Sequence, residues 1–492
     1  MKNFILSIDQ GTTSTRSILF DLKGKPVFVS QKEFKQYYPK DGWVEHNPEE
    51  IWVTTKKVIK EIINKNKKIK GNILTIGITN QRETTLLWDS KTGKCIYNAI
   101  VWQDRRTTNL CNKLKKKGLE NLIKSRTGLL LDPYFSATKI KWIIENIPSA
   151  KKLLKKNRLL FGTIDTYLVW KLTKGKIHAT DSTNASRTML FNIKKNCWDK
   201  KILKLLKIPE SILPNVKNSA DNFGFTDKSI TKKSYPINGV IGDQQAATVG
   251  QSCFQKGSTK ITFGTGAFII MNTGNNKINS KNKLLSTICY RINNRTTFAL
   301  EGSIFIAGAS VQWLRDKLKI IKSAKITEKI SKKQINNNNV YLVPAFTGLG
   351  APYWKPNVRG TLTGLTRDTG RNEIIRATLE SVAYQTSDLL NAMKKDGLKP
   401  SVIKVDGGMA NNYWFIQFLT DILNIKVLKP KVYETTSLGA AVMAGYYIGV
   451  YKSLSDITRN WRFDKKFVPK IVHKNRLKLL NGWHRAIRKT LR

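Results

Sequence analysis

The chain has 492 residues, 40% of them hydrophobic, which is too long for one ordinary core and predicts two large domains. Its 86 lysines and arginines against 34 aspartates and glutamates give a formal net charge of +52, which by itself would suggest a nucleic-acid or anionic-surface partner. The lysines, however, are spread along the chain beside asparagines, as in "NKNKKIKGN" (64–72), so a solvated and compositionally biased surface is favoured and no specific nucleic-acid partner is expected.

The first half of the chain alternates strand and helix patterns. The runs "FILSID" and "RSILFD" predict two strands joined by a tight turn, and "PVFVS" predicts a third. Asn47 is placed to cap a helix with Pro48 at its first position, and the apolar residues that follow share one helical face. The run "NILTIGIT" then returns to a strand, so the pattern indicates an α/β protein with mixed sheets.

A similar strand–turn–strand element opens the second half, in "STKITFGTGAFIIM" (258–271). Further on, "VIKVDGGMANNYWFIQFLTDIL" predicts a strand, a double glycine and an amphipathic helix. We therefore expect weak internal duplication, with domains over residues 1–250 and 251–492 and a cleft between them. The apolar stretch from Leu438 to Tyr451 is shorter than the roughly 18 apolar residues of a membrane span and predicts a helix packed inside a domain.

Cysteine and histidine usage indicates the compartment. Five cysteines without a CxxC pair favour a reducing compartment and no zinc site, and the four histidines are scattered. The N-terminus reaches Asp9 too soon to supply the apolar core of a signal peptide. A cytoplasmic protein without a membrane span is therefore expected.

The turn between the first two strands, in "IDQGTTSTR" (8–16), offers groups suited to phosphate. Gly11 and the hydroxyl residues after it expose backbone N–H groups and hydroxyls without bulky side chains, and Arg16 adds a positive charge. Asp9, at the base of the turn, could hold a hydrated Mg²⁺, which prefers one or two carboxylates. Taken singly, each residue is more often plain turn chemistry, so a structural hairpin stays open as the alternative.

Two further glycine turns point to the same ligand. The "GTG" at 264–266 offers a second phosphate cradle with Thr265 as hydroxyl donor. The "DGG" at 406–408 places Gly408 where a base or ribose could approach the backbone. Each turn alone could be structural, but together with the hairpin they predict one nucleotide held across the cleft.

Several long motifs together carry a resemblance to a known family. The densest are "DQGTTSTR", "GWVEHNPEEIW", "GITNQRETT", "YNAIVWQDRR", "TGLLLDPYFSATK", "TNASRTMLFN", "GVIGDQQAA", "FGTGAF", "PAFTGLGAPYW" and "RATLESVAYQT". With these motifs the chain resembles the FGGY carbohydrate kinases of the actin-like ATPase superfamily, from about Phe4 to its last helices. The resemblance implies two actin-like (ribonuclease H-like) domains, each a mixed sheet flanked by helices, with a cleft between. It also implies ATP-dependent phosphorylation of glycerol to sn-glycerol 3-phosphate with Mg²⁺, in glycerol catabolism.

The resemblance implies three groups of site residues. It puts Asp9 near the metal and gives ATP contacts to Thr12, Thr13, Ser14, Arg16, Thr265, Gly308, Gln312, Gly408 and Asn412. It gives glycerol contacts to Arg82, Glu83, Trp102, Tyr134, Asp243, Gln244 and Phe268, of which the tryptophan and the phenylalanine would pack against the carbon skeleton. It further implies a homodimer or homotetramer.

Asp243 is the residue to which the resemblance gives the chemistry. Phosphoryl transfer to an alcohol needs in-line positioning, neutralised charge and an acceptor for the hydroxyl proton, so the implied role is general base. Asp243 follows an apolar strand and precedes a predicted helix, and from this pattern alone a helix N-cap is an equally good interpretation.

Arg82 and Glu83 set a geometric condition. Neighbours on a regular strand point to opposite faces, so both can reach one ligand only if "NQRETT" turns or bulges.

Two alternatives stay open. A kinase of the same family could act on a pentulose or another small polyol, although Trp102, Tyr134 and Phe268 would narrow its pocket. A non-enzymatic actin-like or nucleic-acid-binding protein would use the charge of +52 and give no role to Asp243.

Overall fold

The structure is a computed structural model that describes residues 2–334, 336–355 and 357–492. Its strands are β1 (Asn3–Gln10), β2 (Ser14–Asp21), β3 (Pro26–Glu33), β4 (Glu45–His46), β5 (Asn72–Asn80), β6 (Leu86–Asp89), β7 (Ala99–Ile100), β8 (Leu159–Gly162), β9 (Ala179–Asp181), β10 (Phe191–Asn192), β11 (Cys197–Trp198), β12 (Asn215–Lys217), β13 (Ile237–Gly242), β14 (Ser258–Phe263), β15 (Ala267–Gly274), β16 (Leu285–Ile292), β17 (Arg295–Ile304), β18 (Tyr341–Val343), β19 (Thr361–Thr363), β20 (Val402–Asp406), β21 (Val427–Pro430) and β22 (Phe463–Phe467).

The helices lie between and around these strands. They are α1 (Pro48–Lys68), α2 (Thr108–Lys116), α3 (Glu120–Thr127), α4 (Ser136–Asn146), α5 (Pro148–Lys155), α6 (Ile164–Leu172), α7 (Ser182–Ala185), α8 (Lys200–Leu206), α9 (Lys228–Thr231), α10 (Asp243–Gly250), α11 (Gly308–Asp316), α12 (Lys325–Lys333), α13 (Arg371–Lys395), α14 (Tyr413–Leu423), α15 (Thr435–Tyr447), α16 (Leu454–Asn460) and α17 (His473–Leu491), with short 3₁₀ turns at Glu210–Ile212 and Gly408–Asn411. Over the described ranges, no helix is both long and apolar enough to cross a membrane.

The first domain is built on a five-stranded mixed sheet in the order β13-β5-β1-β2-β3. The strands β1, β2 and β3 form two successive antiparallel hairpins, as predicted, while β5 and β13 run parallel to β1. Asn47 caps α1, because its side-chain oxygen accepts a hydrogen bond from Glu49 N at 2.9 Å. The helix buries its apolar face, including Ile51 and Ile62, against the sheet, and each such side chain contributes on the order of 1.5–3 kcal/mol.

The second domain is built on a seven-stranded mixed sheet in the order β16-β17-β15-β14-β20-β21-β22. The predicted hairpin is present as β14 and β15, joined at residues 264–266. The predicted strand and double glycine are also present, and β20 leads through the 3₁₀ turn at Gly408–Asn411 into α14. Its helices α13, α14 and α17 pack together on this sheet and bury the largest core of the molecule.

Two helices join the domains by crossing at very short range. The helix α15 comes from the second half of the chain but packs on β1, β5 and β13 of the first sheet, and α10 packs against α15 and against β14. A Cβ at Gly439 would lie 1.9 Å from the carbonyl oxygen of Ala246, and one at Gly250 would lie 2.0 Å from that of Thr435. Only glycine allows backbones to approach so closely. The predicted architecture, two mixed sheets flanked by helices with a cleft between them, is confirmed.

Candidate active site

The hairpin between β1 and β2 presents its backbone at the edge of the cleft. The turn closes with a hydrogen bond from Gly11 N to Ser14 O at 2.9 Å, and Thr13 is exposed at its tip. The turn is held from two other directions: Gln36 Nε2 donates to Thr12 O at 2.9 Å, and Trp102 Nε1 donates to Thr12 Oγ1 at 3.1 Å. The hydroxyls and N–H groups that the sequence predicts to bind phosphate are therefore on a fixed turn.

Asp9 lies at the base of this hairpin, directly opposite Arg16 in the strand register. Ser437 Oγ on α15 donates to Asp9 Oδ2 at 2.8 Å, and Arg16 is paired with Glu434 at 2.6 Å. Burial raises the pKa of Asp9 to about 6, although Arg16 and Ser437 act in the opposite direction. The carboxylate of Asp9 thus bridges the first sheet and the helix that joins the domains.

This donor set fits Mg²⁺ better than a transition metal. The described part of the chain contains no group of three or more His, Cys, Asp or Glu side chains placed to hold an ion. Mg²⁺ that is shared with phosphates needs only one or two protein carboxylates, because waters and phosphate oxygens complete its shell. Asp9 beside the hairpin can supply that one carboxylate.

The segment after β5 leaves the strand conformation as predicted. The strand ends at Asn80, and Glu83 adopts a left-handed backbone with φ of 60°. Three side chains hold its carbonyl oxygen: Ser136 Oγ and Thr85 Oγ1 donate at 3.0 Å, and Lys139 Nζ lies at 3.5 Å. The turn allows Arg82 and Glu83 to enter one cluster of charges.

That cluster, which we call the buried ion cluster, consists of Arg82, Glu83, Arg187 and Glu301. Glu301 accepts a two-pronged pair from Arg82, with Nη1 at 2.7 Å and Nη2 at 2.8 Å, and a third bond from Arg187 Nη2 at 3.1 Å. Arg187 Nε donates to Glu83 Oε1 at 2.6 Å. Burial would raise the pKa of Glu301, but the charges of Arg187 and Arg82 outweigh it and lower the pKa to about 2. The cluster pairs two cations with two carboxylates.

Sequence reasoning missed two members of this cluster. Arg187 lies within "TNASRTMLFN", a motif that was recognised without assigning its arginine a role. Glu301 is an acid in the interior of β17, whose neighbouring residues are buried and mostly uncharged. An unpartnered acid in an apolar strand is the signal that could have found it.

Asp243 is the first residue of α10 and points to the same cluster. Its Oδ1 lies 3.2 Å from Arg82 Nε and accepts a hydrogen bond from Gln244 N at 2.6 Å. Burial raises the pKa of Asp243, with Arg82 and Lys260 acting in the opposite direction. Gly242 occupies the N-cap position, so the interpretation of Asp243 as the helix cap is wrong.

Gln244 is held by a buried lysine of the second sheet. Lys260 Nζ donates to Gln244 Oε1 at 2.5 Å and to Thr262 Oγ1 at 2.9 Å. Burial lowers the pKa of Lys260, which has no solvent contact. The amide of Gln244 is therefore oriented, and its Nε2 donates to Asp243 Oδ2 at 3.3 Å.

Three aromatic rings meet beside these polar groups. The ring of Trp102 makes edge contacts with Tyr134, at a centroid separation of 5.7 Å, and with Phe268, at 6.2 Å. Phe268 comes from β15 of the second sheet, whereas the other two rings belong to the first domain. The rings are half-buried, so they form an apolar wall contributed by both domains.

On the side predicted to bind the nucleotide, the 264–266 turn lies against the start of α11. Thr265 O accepts hydrogen bonds from Ala307 N at 2.9 Å and Ala309 N at 3.0 Å, which docks the 264–266 turn on the start of α11. A Cβ at Gly308 would lie 2.6 Å from Gly264 O and 3.8 Å from Met409. The side chains of Thr265 and, further along α11, Gln312 are exposed.

The double glycine after β20 provides an open surface next to these turns. A Cβ at Gly408 would meet no atom within 4 Å, whereas one at Gly407, where φ is 87°, would lie 2.4 Å from Phe263 O. Asn412 caps α14 by accepting from Phe415 N at 2.9 Å, and its Nδ2 lies 3.3 Å from Thr327 Oγ1. Uncharged groups and exposed backbone therefore line this side.

Comparisons with known proteins find relatives in both sequence and structure. The model of the FGGY family of carbohydrate kinases, N-terminal domain, matches residues 4–250, and that of the C-terminal domain matches residues 259–448. The chain is 54% identical to the glycerol kinase of Alteromonas mediterranea over 99% of both chains. The crystal structure of Plasmodium falciparum glycerol kinase with ADP superposes with a TM-score of 0.94 at 40% identity, covering 100% of this chain and 99% of that one. The gluconate kinase of Lactobacillus acidophilus, with a TM-score of 0.90 at 22% identity over 99% and 97% of the two chains, shares the fold.

Proposed function

The chain belongs to the FGGY family of carbohydrate kinases, and from that premise we propose that it transfers the γ-phosphoryl group of ATP to glycerol, giving sn-glycerol 3-phosphate. Full-length relatives named glycerol kinase, at 52–54% identity, support this choice of substrate. The observation that carries the proposal is the junction of Asp243 with Arg82 beside a wall of three aromatic rings. A small polyol needs both a set of fixed polar groups and an apolar surface for its carbons.

In this proposal glycerol lies between the polar groups and the ring wall. Its hydroxyls bind Arg82, Glu83, Tyr134, Asp243 and Gln244, and its carbons contact Trp102 and Phe268. The rings contact one another at centroid separations of 5.7 and 6.2 Å and so form a continuous wall on the carbon side of the proposed site.

ATP is the second substrate and would occupy the glycine turns. The triphosphate meets the hairpin residues Thr12, Thr13, Ser14 and Arg16, while Thr265, Gly308, Gln312, Gly408 and Asn412 contact the rest of the nucleotide. Gly408 supports this placement, because a Cβ there would stand in open space that a ligand can fill. Asp9 would hold Mg²⁺, which supplies positive charge to the phosphates as negative charge moves toward the leaving group.

The proposed base is one oxygen of Asp243. Its Oδ1 is engaged by Arg82 Nε and Gln244 N, whereas Oδ2 has only Gln244 Nε2 at 3.3 Å. Oδ2 accepts the proton of the glycerol hydroxyl. At the same time the oxygen of that hydroxyl forms a bond to the γ-phosphorus of ATP, and the bond between the γ-phosphorus and the ADP oxygen breaks. Closure of the domains excludes water, so the phosphoryl group goes to glycerol.

The direct test is ADP release from Mg·ATP with and without glycerol, in the wild type and in Asp243→Asn, beside a panel of pentuloses. We expect glycerol-dependent release that falls by about 10²- to 10⁴-fold in the variant, the usual size of a general-base contribution. Near-normal turnover in the variant would refute the role of Asp243. Release that follows a pentulose instead of glycerol would keep the family and overturn the substrate.

The same proposal includes a cytoplasmic location, a homodimeric or homotetrameric state, and a domain division at residue 250. These parts rest on the family resemblance and on composition.

A further inference from the structure

Glu301 occupies an unusual place for a charged side chain. It lies on β17, inside the second sheet between β15 and β16, and its relative exposure is 0%. Both arginines that it binds, Arg82 and Arg187, belong to the first domain. A carboxylate of one domain therefore fixes two guanidinium groups of the other.

Each of these arginines in turn binds a carboxylate that is a proposed glycerol ligand. Arg82 Nε lies 3.2 Å from Asp243 Oδ1, and Arg187 Nε donates to Glu83 Oε1 at 2.6 Å. Arg82 places both Nη atoms on Glu301, and because a guanidinium is planar, this pairing also fixes the direction of its Nε–H. Arg187 is held on Glu301 through Nη2 alone and on Glu83 through Nε. The orientation of Glu301 is thereby passed on to Asp243 and Glu83.

Stability alone does not account for this arrangement. A buried ion cluster adds little net stability compared with apolar side chains of the same volume, because the charges must be desolvated. What such a cluster does provide is one defined geometry. Here that geometry includes two of the proposed glycerol ligands.

We propose that Glu301 is a positioning residue for the phosphorylation of glycerol. Through Arg82 and Arg187 it orients Asp243 and Glu83, and it completes the glycerol site only when the second sheet is seated against the first domain. This inference rests on the proposed function, since it concerns the same site.

The chain offers a matched control in Glu380. This residue on α13 is equally buried and also binds an arginine, with Arg376 Nε at 2.7 Å, and it accepts further bonds from Tyr384 and Asn337 at 3.0 Å. None of these groups belongs to the proposed active site. Glu380→Gln therefore reports what the loss of a buried carboxylate charge does to the fold alone.

The experiment compares Glu301→Gln with Glu380→Gln by steady-state kinetics and thermal unfolding. For Glu301→Gln we expect KM for glycerol to rise by roughly tenfold or more and kcat to fall by roughly tenfold, with KM for ATP within about twofold, since misoriented ligands lose binding and reactive geometry together. For Glu380→Gln we expect a lower melting temperature and unchanged kinetic constants. If Glu301→Gln gave that same pattern, Glu301 would be structural and the inference would be overturned.

Two outcomes separate this inference from the proposed function. If the wild type showed no glycerol-dependent ADP release, the proposed function would fail, and with it this role of Glu301. If the wild type were active and Glu301→Gln kept the wild-type KM for glycerol, only the inference would fail. Should Glu301→Gln not fold, Arg187→Lys gives the same readouts. Lysine keeps the positive charge but lacks the planar guanidinium that binds Glu83 and Glu301 at once. An unchanged KM for glycerol in Arg187→Lys would overturn the inference.

Discussion

The proposed glycerol side and the proposed nucleotide side of the cleft consist of different kinds of groups. The proposed glycerol side consists of the buried ion cluster, Asp243 and three aromatic rings, and its charges are paired with one another. The proposed nucleotide side consists of exposed turns, where Thr265 and Gly408 offer a hydroxyl and bare backbone, and of the hairpin that carries Arg16. The small uncharged ligand would thus meet several charges paired in a buried cluster, and the large charged one would meet mainly hydroxyls and backbone, with Arg16 as a charged group.

The difference follows from how much each ligand can contribute. Glycerol has few atoms, so its recognition depends on polar groups that already point the right way and do not have to be ordered on binding. A nucleotide has a large surface and its own charge, which backbone N–H groups and hydroxyls can meet together with Arg16. Substitutions should therefore affect the two sides through different kinetic constants.

After Asp243→Asn, the largest expected effect is on the proposed glycerol side, from Glu83→Gln. The substitution keeps the shape but removes a charge that Arg187 pairs at 2.6 Å, so a glycerol hydroxyl loses a strong acceptor. We expect kcat/KM for glycerol to fall by about 10²- to 10³-fold, as is usual when a site built for a hydroxyl loses its partner. Steady-state kinetics with varied glycerol and saturating ATP measures it. The control is Glu145→Gln, because Glu145 is an exposed carboxylate that pairs with Lys141. An equal loss of kcat/KM in this control would contradict the prediction.

The next effect is the pH dependence of glycerol phosphorylation. Asp243 acts as a base only when ionised, and burial raises its pKa above the ordinary aspartate value despite Arg82 and Lys260. We therefore expect kcat/KM for glycerol to fall about tenfold per pH unit as the pH drops below that raised pKa. In Lys260→Met the acid limb should move to higher pH, because a charge that lowers the pKa of Asp243 is gone. A limb that stayed in place or moved to lower pH would count against Asp243 as the base.

The smallest effect is on the nucleotide side, from Gly408→Ala. The added methyl meets no atom within 4 Å in the free protein, so stability should not change, while a bound nucleotide would be displaced. We expect KM for ATP to rise about fivefold with KM for glycerol unchanged, since close backbone approach is what glycine permits. Thermal unfolding measures the stability, and steady-state kinetics with varied ATP measures the KM for ATP.

The neighbouring Gly407→Ala provides the contrast. Its φ is 87° and its Cβ would lie 2.4 Å from Phe263 O, so it should lose about 1–2 kcal/mol or more of stability. If both alanine variants behaved alike, Gly408 would have no role specific to the nucleotide.

Local patterns predicted the local structure well. The apolar runs around residues 4–9 and 17–20 became β1 and β2, and Asn47 with Pro48 began α1. For these elements the information lies within a few residues of the chain. The turn at Glu83 was predictable only through the family resemblance, which gives Arg82 and Glu83 to one ligand that two neighbours on a regular strand could not both reach.

Pairings across the domains were not predictable from one sequence. Arg82 and Glu301 are separated by 219 positions, and nothing in the spacing says which carboxylate a buried arginine will meet. The helix α15 belongs to the second half of the chain yet packs on the first sheet. The roles of the individual site residues and the division at residue 250 stay predictions, since they depend on bound ligands and on independent folding.

The crossing of α10 and α15 sets the distance between two parts of the proposed active site. A Cβ on Gly439 would lie only 1.9 Å from the carbonyl oxygen of Ala246, so the two helices are too close together for any side chain at this position. One helix carries Asp243, and the other carries Ser437, which binds Asp9. A single methyl group at Gly439 would push these helices apart and separate the proposed base from the proposed metal ligand. We therefore expect the distance between the proposed base and the proposed metal ligand to depend on Gly439, which is not among the proposed glycerol or ATP contacts.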